Sequence, residues 1–184
     1  SISRIYFDNN TCINAGDGWP YETEGRPRLS EFLPDTVGWH VFLDSYSIDS
    51  STINISNNIF YNATANKLLK VNKLPPDGNW AGVVLSNNCY FQKNLSDPIV
   101  EITGTTYHAS DFIVYQKETG KDHGSFVRDP LFVDVQNRDY HLKPGSPCIN
   151  AGIPTNAEKD YEDKAIRDRI DIGAFEFTSD GNLK

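Results

Sequence analysis

Short runs in which apolar and polar residues alternate recur along the chain, and each run ends at a pair of asparagines. Alternation of this kind predicts a β-strand with one buried face. Asparagine suits the turn that follows, because it tolerates left-handed backbone and its side chain bonds nearby peptide groups. The three copies, written as run and pair, are 2–7 with Asn9-Asn10, 51–56 with Asn57-Asn58, and 81–86 with Asn87-Asn88.

The spacing of these copies predicts a repeating fold. Asn9, Asn57 and Asn87 are 48 and 30 residues apart, and periods of about 20–50 residues are typical of solenoids. The β-branched, alternating runs favour strands over helices as the repeated unit. Equivalent side chains of stacked strands lie about 4.8 Å apart, so an inward asparagine can bond the asparagine of the next turn. We therefore predict an all-β solenoid in which the asparagine pairs are structural.

Further strand-like runs are expected at 39–43, 67–71, 99–102 and 111–115. Residues 15–38 break the pattern, because glycine and proline recur there among aromatic and basic residues. A loop longer than about 12–15 residues in a compact domain is usually functional or disordered, and the aromatic and basic residues favour function. We predict that residues 1–125 form the repeated strands and that the loop at about 15–38 carries the site.

Composition narrows the classes of function. The chain has 184 residues, of which 38% are hydrophobic and 23% charged, and this fits one globular domain. A formal net charge of −8 argues against nucleic acid or an anionic membrane as a partner. No apolar run reaches the roughly 18 residues of a membrane span. Cys12, Cys89 and Cys148 lack the spacing of a zinc site, and we expect them to be small buried apolar residues.

The last third of the chain carries three motifs in a particular order. They are Asp-Pro-Leu-Phe-Val-Asp at 129–134, Asp-Tyr-His-Leu through Pro-Gly-Ser-Pro to Asn-Ala-Gly at 139–152, and an arginine followed by Asp-Ile-Gly-Ala-Phe-Glu at 167–176. They resemble the closing region of bacterial extracellular right-handed parallel β-helix proteins of the pectate-lyase-like superfamily. The resemblance implies that residues 126–184 are a capping segment of the same domain. It also implies a secreted or periplasmic protein that acts on polysaccharide.

A cap has a physical role, because an open solenoid end exposes strand edges and apolar core. We expect Arg167 or Arg169 to pair with Asp171 or Glu176 around it. Since the chain starts within a predicted strand, we also expect the N-terminal remainder of a longer β-helix as its neighbour. The apolar residues expected to cover the end are Leu131, Phe132, Leu142, Ile149, Ile172 and Phe175.

The superfamily contains glycoside hydrolases, polysaccharide lyases and non-catalytic members, so the fold does not decide the activity. Hydrolysis of a glycosidic bond needs two carboxyl groups. Asp17 and Asp44 are the expected pair among the carboxyl candidates near the loop, which are Asp17, Glu22, Glu24, Asp44 and Asp49. β-Elimination needs a cation that neutralises a uronic acid and a base that removes a proton, and Arg28 and His40 are the candidates. In the alternative interpretation the acids are solvated surface groups and His40 is a hydrogen-bonded structural residue.

Trp19, Tyr21, Arg26 and Trp39 are the expected substrate-binding residues, since flat rings can stack on sugars and an arginine can neutralise a uronic carboxylate. We predict a carbohydrate-active protein that processes an extracellular polysaccharide. Hydrolysis is favoured over β-elimination because an acidic chain repels an anionic substrate. The alternative is a non-catalytic module that binds glycan or caps a longer solenoid. We expect no cofactor, with bound calcium as the alternative for an acidic substrate.

Overall fold

In the computed structural model the chain passes repeatedly through three sheets and gives one strand to each in turn. The structure describes residues 4–15, 39–44, 52–63, 67–74, 78, 80–167 and 169–178. We call one passage through the three sheets a coil. The first coil is β1 (Arg4–Asp8), β2 (Thr11–Ala15) and β3 (Val41–Asp44). The second is β4 (Thr52–Ser56), β5 (Ile59–Ala63) and β6 (Leu69–Lys73). The third is β7 (Val83–Ser86), β8 (Cys89–Phe91) and β9 (Val100–Ile102).

The elements that follow the coils are β10 (Thr105–Tyr107), α1 (Phe112–Thr119), β11 (Phe126–Val127), β12 (Phe132–Asp134) and β13 (Asp139–Leu142). Sheet A has the strand order β1-β4-β7 and sheet B the order β2-β5-β8-β11, both parallel throughout. In sheet C the parallel strands β3-β6-β9 are extended by β10, which is antiparallel to β9. The regular secondary structure of the described chain is thus mostly β-strand and includes parallel sheets, which confirms that part of the predicted fold.

Equivalent side chains stack from one coil to the next and fill a common core. Phe7, Ile55 and Leu85 are in register in sheet A, and Ile55 and Leu85 are only 3% and 2% exposed. Phe60 of sheet B and Leu69 of sheet C are fully buried in the same core. Side chains alternate between the two faces of a strand, so the residues between these in sheets A and C point outward.

The second asparagine of each pair forms a ladder across the coils. Oδ1 of Asn58 accepts hydrogen bonds from N and Nδ2 of Asn10, at 2.9 and 3.0 Å. Oδ1 of Asn88 accepts from N and Nδ2 of Asn58 in the same way, at 3.0 and 3.1 Å. Because Asn58 and Asn88 are fully buried, these bonds satisfy polar groups that have no access to water. The predicted structural role of the pairs is confirmed.

The first asparagine of each pair turns the backbone and holds the C-terminal segment. Asn9, Asn57 and Asn87 have left-handed φ angles of 58°, 56° and 49°. The side-chain amide of Asn57 donates to O of Ile153 at 2.7 Å and accepts from N of Ile153 at 2.9 Å. The corresponding bonds on the flanking coils join Asn87 Nδ2 to Ala151 O and Thr155 Oγ1 to Asn9 Oδ1, each at 3.0 Å. Residues 151–155 therefore run across all three coils.

The C-terminal segment packs against the outer face of sheet B, whereas we expected its apolar residues to cover the end of the coils. The rings of Phe132 and Tyr61 lie 5.4 Å apart, and Phe132 and Ile172 share one buried cluster with Ile59. Leu131, also expected in the cover, is 39% exposed. Strand β5 reads Ile-Phe-Tyr at its start, so both of its faces are apolar and the outer face needs a cover as well as the inner one.

Helix α1 occupies a stretch whose β-branched residues predicted a strand. Phe112 and Tyr115 are buried, while Ile113 and Val114 between them are 61% and 46% exposed. A spacing of three between buried residues is helical. Gly120 ends the helix in the left-handed conformation with φ of 64°, which glycine adopts at little cost. The helix therefore buries its two aromatic rings in the core formed by the coils.

A buried carboxylate ties α1 to the third coil. Asp122 accepts hydrogen bonds from the hydroxyls of Tyr115, Ser125 and Tyr90 at 2.7, 2.7 and 3.1 Å. Nδ2 of Asn88 also donates to Asp122, at 3.3 Å. Burial raises the pKa of Asp122, although these hydrogen bonds oppose the shift. The asparagine ladder, the core and the helix thus meet at one side chain.

Candidate functional site

The structure describes three of the eight predicted site residues. Trp39 and His40 precede β3, and the backbone of Asp44 ends β3 opposite Lys73 of β6. The predicted loop at about 15–38 lies almost entirely outside the described residues. The five site residues in it are Asp17, Trp19, Tyr21, Arg26 and Arg28.

His40 is held against β5. Its Nε2 lies 2.9 Å from the carbonyl oxygen of Asn62, and since a carbonyl only accepts, Nε2 carries the proton that is donated. Its ring centroid is 5.8 Å from that of Phe60. Burial lowers the pKa of His40, while hydrogen bonds to the carbonyls of Asn62 and Tyr61 oppose the shift. These contacts are those of a structural histidine, and burial favours the neutral form of the imidazole near pH 7.

Trp39 forms an aromatic surface on the outer side of sheet C. Its ring is stacked on that of Phe42, with centroids 4.8 Å apart and planes 21° from parallel. Phe42 is 44% exposed, and the Nζ of Lys70 lies 5.3 Å from the Trp39 ring centroid. Trp39 Nε1 is buried and makes no hydrogen bond to the described residues. A flat ligand with polar edges could bind against the two rings and the ammonium group.

Two lysines and one glutamate continue this surface along sheet C. Phe42, Lys70 and Glu101 are in register on β3, β6 and β9, opposite to the inward Leu69 and Val100 of the core. Nζ of Lys70 is 3.2 Å from Glu101 Oε1, and Lys67 forms an ion pair with the other carboxylate oxygen. We call Trp39, Phe42, Lys67, Lys70 and Glu101 the sheet C face.

The charge of the sheet C face differs from that of the whole chain. Burial raises the pKa of Glu101, but the hydrogen bonds and charges of Lys67 and Lys70 outweigh burial, so the pKa lies below its usual value. The glutamate is therefore ionised at neutral pH, and the face holds two positive charges and one negative charge. The lysine side chains are 18% exposed and that of Glu101 is 11% exposed, so all three reach solvent.

The sequence did not reveal this grouping. Lys67, Lys70 and Glu101 are charged residues without a motif, and they meet only because β6 and β9 are paired. The alternation of β6, in which Leu69 and Val71 are buried and Lys70 lies between them, does predict that Lys70 faces outward. The position of Glu101 depends on the register of β9, which no local pattern sets.

A second acidic group lies in the C-terminal segment. Burial raises the pKa of Glu176 to about 7, helped by the charges of Asp171 and Asp160 and opposed by a hydrogen bond from the Asp171 backbone. Asp171 itself is 2% exposed, and its Oδ1 accepts from N of Asn150 at 2.7 Å. In the described part of the chain neither carboxylate pairs with the expected Arg167 or Arg169. Backbone N–H groups donate to the two carboxylates instead, from Asn150 to Asp171 and from Asp171 to Glu176.

Metal binding and membrane insertion find no support in the described residues. No three or more His, Cys, Asp or Glu side chains within these ranges are arranged to hold a metal ion. None of the helices in the described ranges has the length and hydrophobicity that crossing a bilayer requires.

Comparison with known proteins gave no match. No protein-family model, no curated protein and no solved structure is significantly similar to this chain. The family that the closing motifs resemble therefore stays a prediction.

Proposed function

We propose that the chain is a right-handed parallel β-helix that binds and cleaves an extracellular polysaccharide. The cyclic strand order through sheets A, B and C supports the helix, as does the ladder that joins equivalent asparagines of successive coils. The closing motifs at 129–134, 139–152 and 167–176 support the family, the substrate class and a secreted or periplasmic location.

The sheet C face is the observation that carries the substrate class. A stacked pair of aromatic rings offers a flat apolar surface to the face of a sugar ring. Lys67, Lys70 and Glu101 beside it offer charged donors and acceptors to hydroxyl and carboxyl groups. Because Phe42, Lys70 and Glu101 come from three neighbouring strands, which are spaced about 4.8 Å apart, the face extends across the coils. An extended chain of sugars fits such a surface better than a small compact ligand.

Two routes of cleavage fit this face to different degrees. Hydrolysis needs two carboxyl groups about 5–10 Å apart; Glu101 supplies one, and the predicted Asp17 and Asp44 are the proposed source of the other. β-Elimination needs cations beside the substrate carboxylate and a base. Lys67 and Lys70 would supply the cations, and neutral His40 stays the predicted base, although its contacts are with Phe60 and Asn62 of β5. The excess of one positive charge on the sheet C face weakens the objection that overall acidity raised against an anionic substrate.

A panel of neutral and uronic-acid polysaccharides tests the proposal. Binding is measured by affinity electrophoresis, and cleavage by new reducing ends and by the absorbance of unsaturated products. Reducing ends alone indicate hydrolysis, whereas unsaturated products indicate β-elimination. Parallel assays with added calcium and with a chelator test the calcium alternative. The absence of binding and of product on every polysaccharide would overturn the proposed function.

A second candidate is a non-catalytic module that closes a longer β-helix, and the first coil provides a specific observation for it. Ile5 and Phe7 are in register with the inward Ile53 and Ile55, yet they are 43% and 37% exposed. Strand β1 has no partner on its outer edge among the described strands. The Oδ1 of Asn10 accepts no bond from a described residue, although its equivalents on later coils accept two each. A further parallel coil with an asparagine at the same position would fit this end.

An added coil tests that candidate. Residues 53–82 are copied in front of Ile5, so that the new glycine precedes Ile5 as Gly82 precedes Val83. We expect the midpoint of thermal unfolding to rise, and the rise to disappear when the added copy of Asn58 is changed to leucine. No rise with the intact copy would contradict an end built for a further coil. This result is independent of the polysaccharide assay.

A further inference from the structure

We propose that Cys89 and Cys148 form a disulfide bond that fastens the C-terminal segment to sheet B when the protein folds in an oxidising compartment. The bond would join the first residue of β8 to the segment that follows β13. It goes beyond the proposed function, because it concerns how the cover of sheet B is held in place whether or not the sheet C face binds a glycan.

The positions of the two thiols carry this inference. Both cysteines are fully buried, and both belong to the cluster that joins Ile59 of sheet B to Phe132 and Ile172 of the segment. The Cys148 side chain is a hydrogen-bonding neighbour that helps to raise the pKa of Cys89. Two neighbouring thiols in one buried, largely apolar cluster are placed for cross-linking, whereas either one alone would be only a small apolar residue.

The backbone on each side of the pair is held firmly. N of Cys89 donates to O of Asn58 at 2.8 Å, and O of Cys148 accepts from N of Ile172 at 2.9 Å. N of Cys148 also donates to the hydroxyl of Ser146, at 3.1 Å. Folding therefore brings the same two residues together each time, which favours one specific pairing.

Cys12 provides the contrast within the same chain. It is in register with Phe60 and Tyr90, so it points into the core formed by the coils, while Cys89 points to the outer side of sheet B. Cys12 belongs to the core cluster and not to the cluster of the other two cysteines. We therefore expect Cys12 to remain a free thiol, and it serves as the matched control.

The chemistry balances with a small disulfide as oxidant. The thiolate of one cysteine attacks glutathione disulfide and releases one glutathione, which leaves a mixed disulfide. The second thiolate then attacks the protein sulfur of the mixed disulfide and releases the second glutathione. The two released glutathione thiolates take up the two protons given up by the protein thiols, and the two electrons from the cysteines reduce one glutathione disulfide to two glutathione molecules.

The order of events follows from burial. Burial raises the pKa of Cys89, and the neighbouring Cys148 raises it further through a hydrogen bond and its charge. A hydrogen bond to the carbonyl of Arg128 opposes this shift. A buried, protonated thiol reacts slowly, because the thiolate is the nucleophile. The bond therefore forms while the C-terminal segment docks, and a chain folded first under reducing conditions should oxidise slowly.

Thiol counting after refolding tests the proposal. The full chain is refolded from urea in reduced and oxidised glutathione, denatured in an alkylating reagent and analysed by mass spectrometry. We expect one alkylated residue, Cys12, and one linked peptide pair that contains Cys89 and Cys148. Cys12→Ser should leave no free thiol, and Cys89→Ala should leave two. Three alkylated cysteines in the unaltered chain, or a disulfide that includes Cys12, would overturn the proposal.

Thermal unfolding gives a second readout. Reduction should lower Tm of the oxidised chain by roughly 5–15 °C, because the bond links positions 89 and 148, which are 59 residues apart in the sequence. Reduction should lower Tm of Cys12→Ser by the same amount and should leave Tm of Cys148→Ala unchanged. An equal effect of reductant on Cys148→Ala would show that the change has another origin.

Discussion

The Oδ1 atom of Asn58 accepts two hydrogen bonds from Asn10 of the preceding coil, one from the backbone N at 2.9 Å and one from Nδ2 at 3.0 Å. Asn58 in turn donates its own N and Nδ2 to Asn88, and Nδ2 also donates to O of Phe7 at 2.8 Å. A side chain with both a donor and an acceptor is therefore required at this buried position. The ladder makes each coil depend on its neighbours.

Asn58→Ala should destabilise the protein by about 2–4 kcal/mol, because it leaves buried donors and acceptors on both neighbouring coils without partners. Urea unfolding followed by circular dichroism gives the value. Asn94→Ala is the control, since Asn94 is exposed and bonds only nearby residues; it should cost less than about 1 kcal/mol. Equal costs for the two variants would argue against the ladder.

The position of the C-terminal segment can be tested with two glycines. Gly173 and Gly120 both have positive φ, 112° and 64°, so alanine is strained at either position. A Cβ at Gly173 would also lie 2.7 Å from Cδ1 of Ile59 and 2.9 Å from Oγ1 of Thr11, while a Cβ at Gly120 meets open space. We expect Gly120→Ala to cost about 1 kcal/mol because of its left-handed backbone, and Gly173→Ala about 1–3 kcal/mol more. Similar urea midpoints would contradict packing on sheet B.

Part of the fold could be predicted from the sequence and part of it could not. Alternation and the asparagine pairs correctly predicted the strands of sheet A and the ladder, because both are repeated local signals. The outer cover of sheet B was missed, although the consecutive apolar residues Ile59-Phe60-Tyr61 imply two buried faces. Helix α1 was missed because β-branched Ile113 and Val114 suggested a strand, while the decisive i, i+3 burial of Phe112 and Tyr115 depends on tertiary contacts.

The candidate site, like the fold, could be predicted from the sequence only in part. Trp39 was predicted as a binding residue from its aromatic ring, and the structure places it beside Lys70. Lys67 and Glu101 were not predicted, because coils of unequal length hide which residues of β6 and β9 are opposite each other. The register of paired strands is a long-range property, and here it decides which charges share a face.

Glu176 should make stability depend on pH. Burial raises its pKa to about 7 in the folded protein, above its usual value near 4.5, so the neutral form favours folding. This contribution is fully present below about pH 4.5 and is lost as pH rises through about 7. Glu176→Gln keeps an acceptor for the Asp171 backbone N–H and should remove this part of the pH dependence of Tm. The exposed Glu158→Gln is the control, and parallel profiles for wild type and Glu176→Gln would contradict this account.

Glu101→Gln tests the charge of the sheet C face. Glu101 forms ion pairs with both Lys67 and Lys70, so its neutral analogue frees two ammonium groups for a ligand carboxylate. We expect tighter binding of a uronic-acid oligosaccharide and no gain for a neutral one, both measured by isothermal titration calorimetry. Equal weakening for the two ligands would show that the lysines do not bind the ligand carboxylate.

The most direct test of the central claim is the affinity of sheet C face variants for the tightest-binding polysaccharide of the panel. Trp39→Ala and Lys70→Ala should each weaken binding about tenfold or more, because they remove a stacking surface and a charged donor. Lys117→Ala, on the exposed side of α1, should leave the dissociation constant within about twofold, as expected for a charge outside the interface. The same dissociation constant for all three variants, or no polysaccharide that binds at all, would contradict the account.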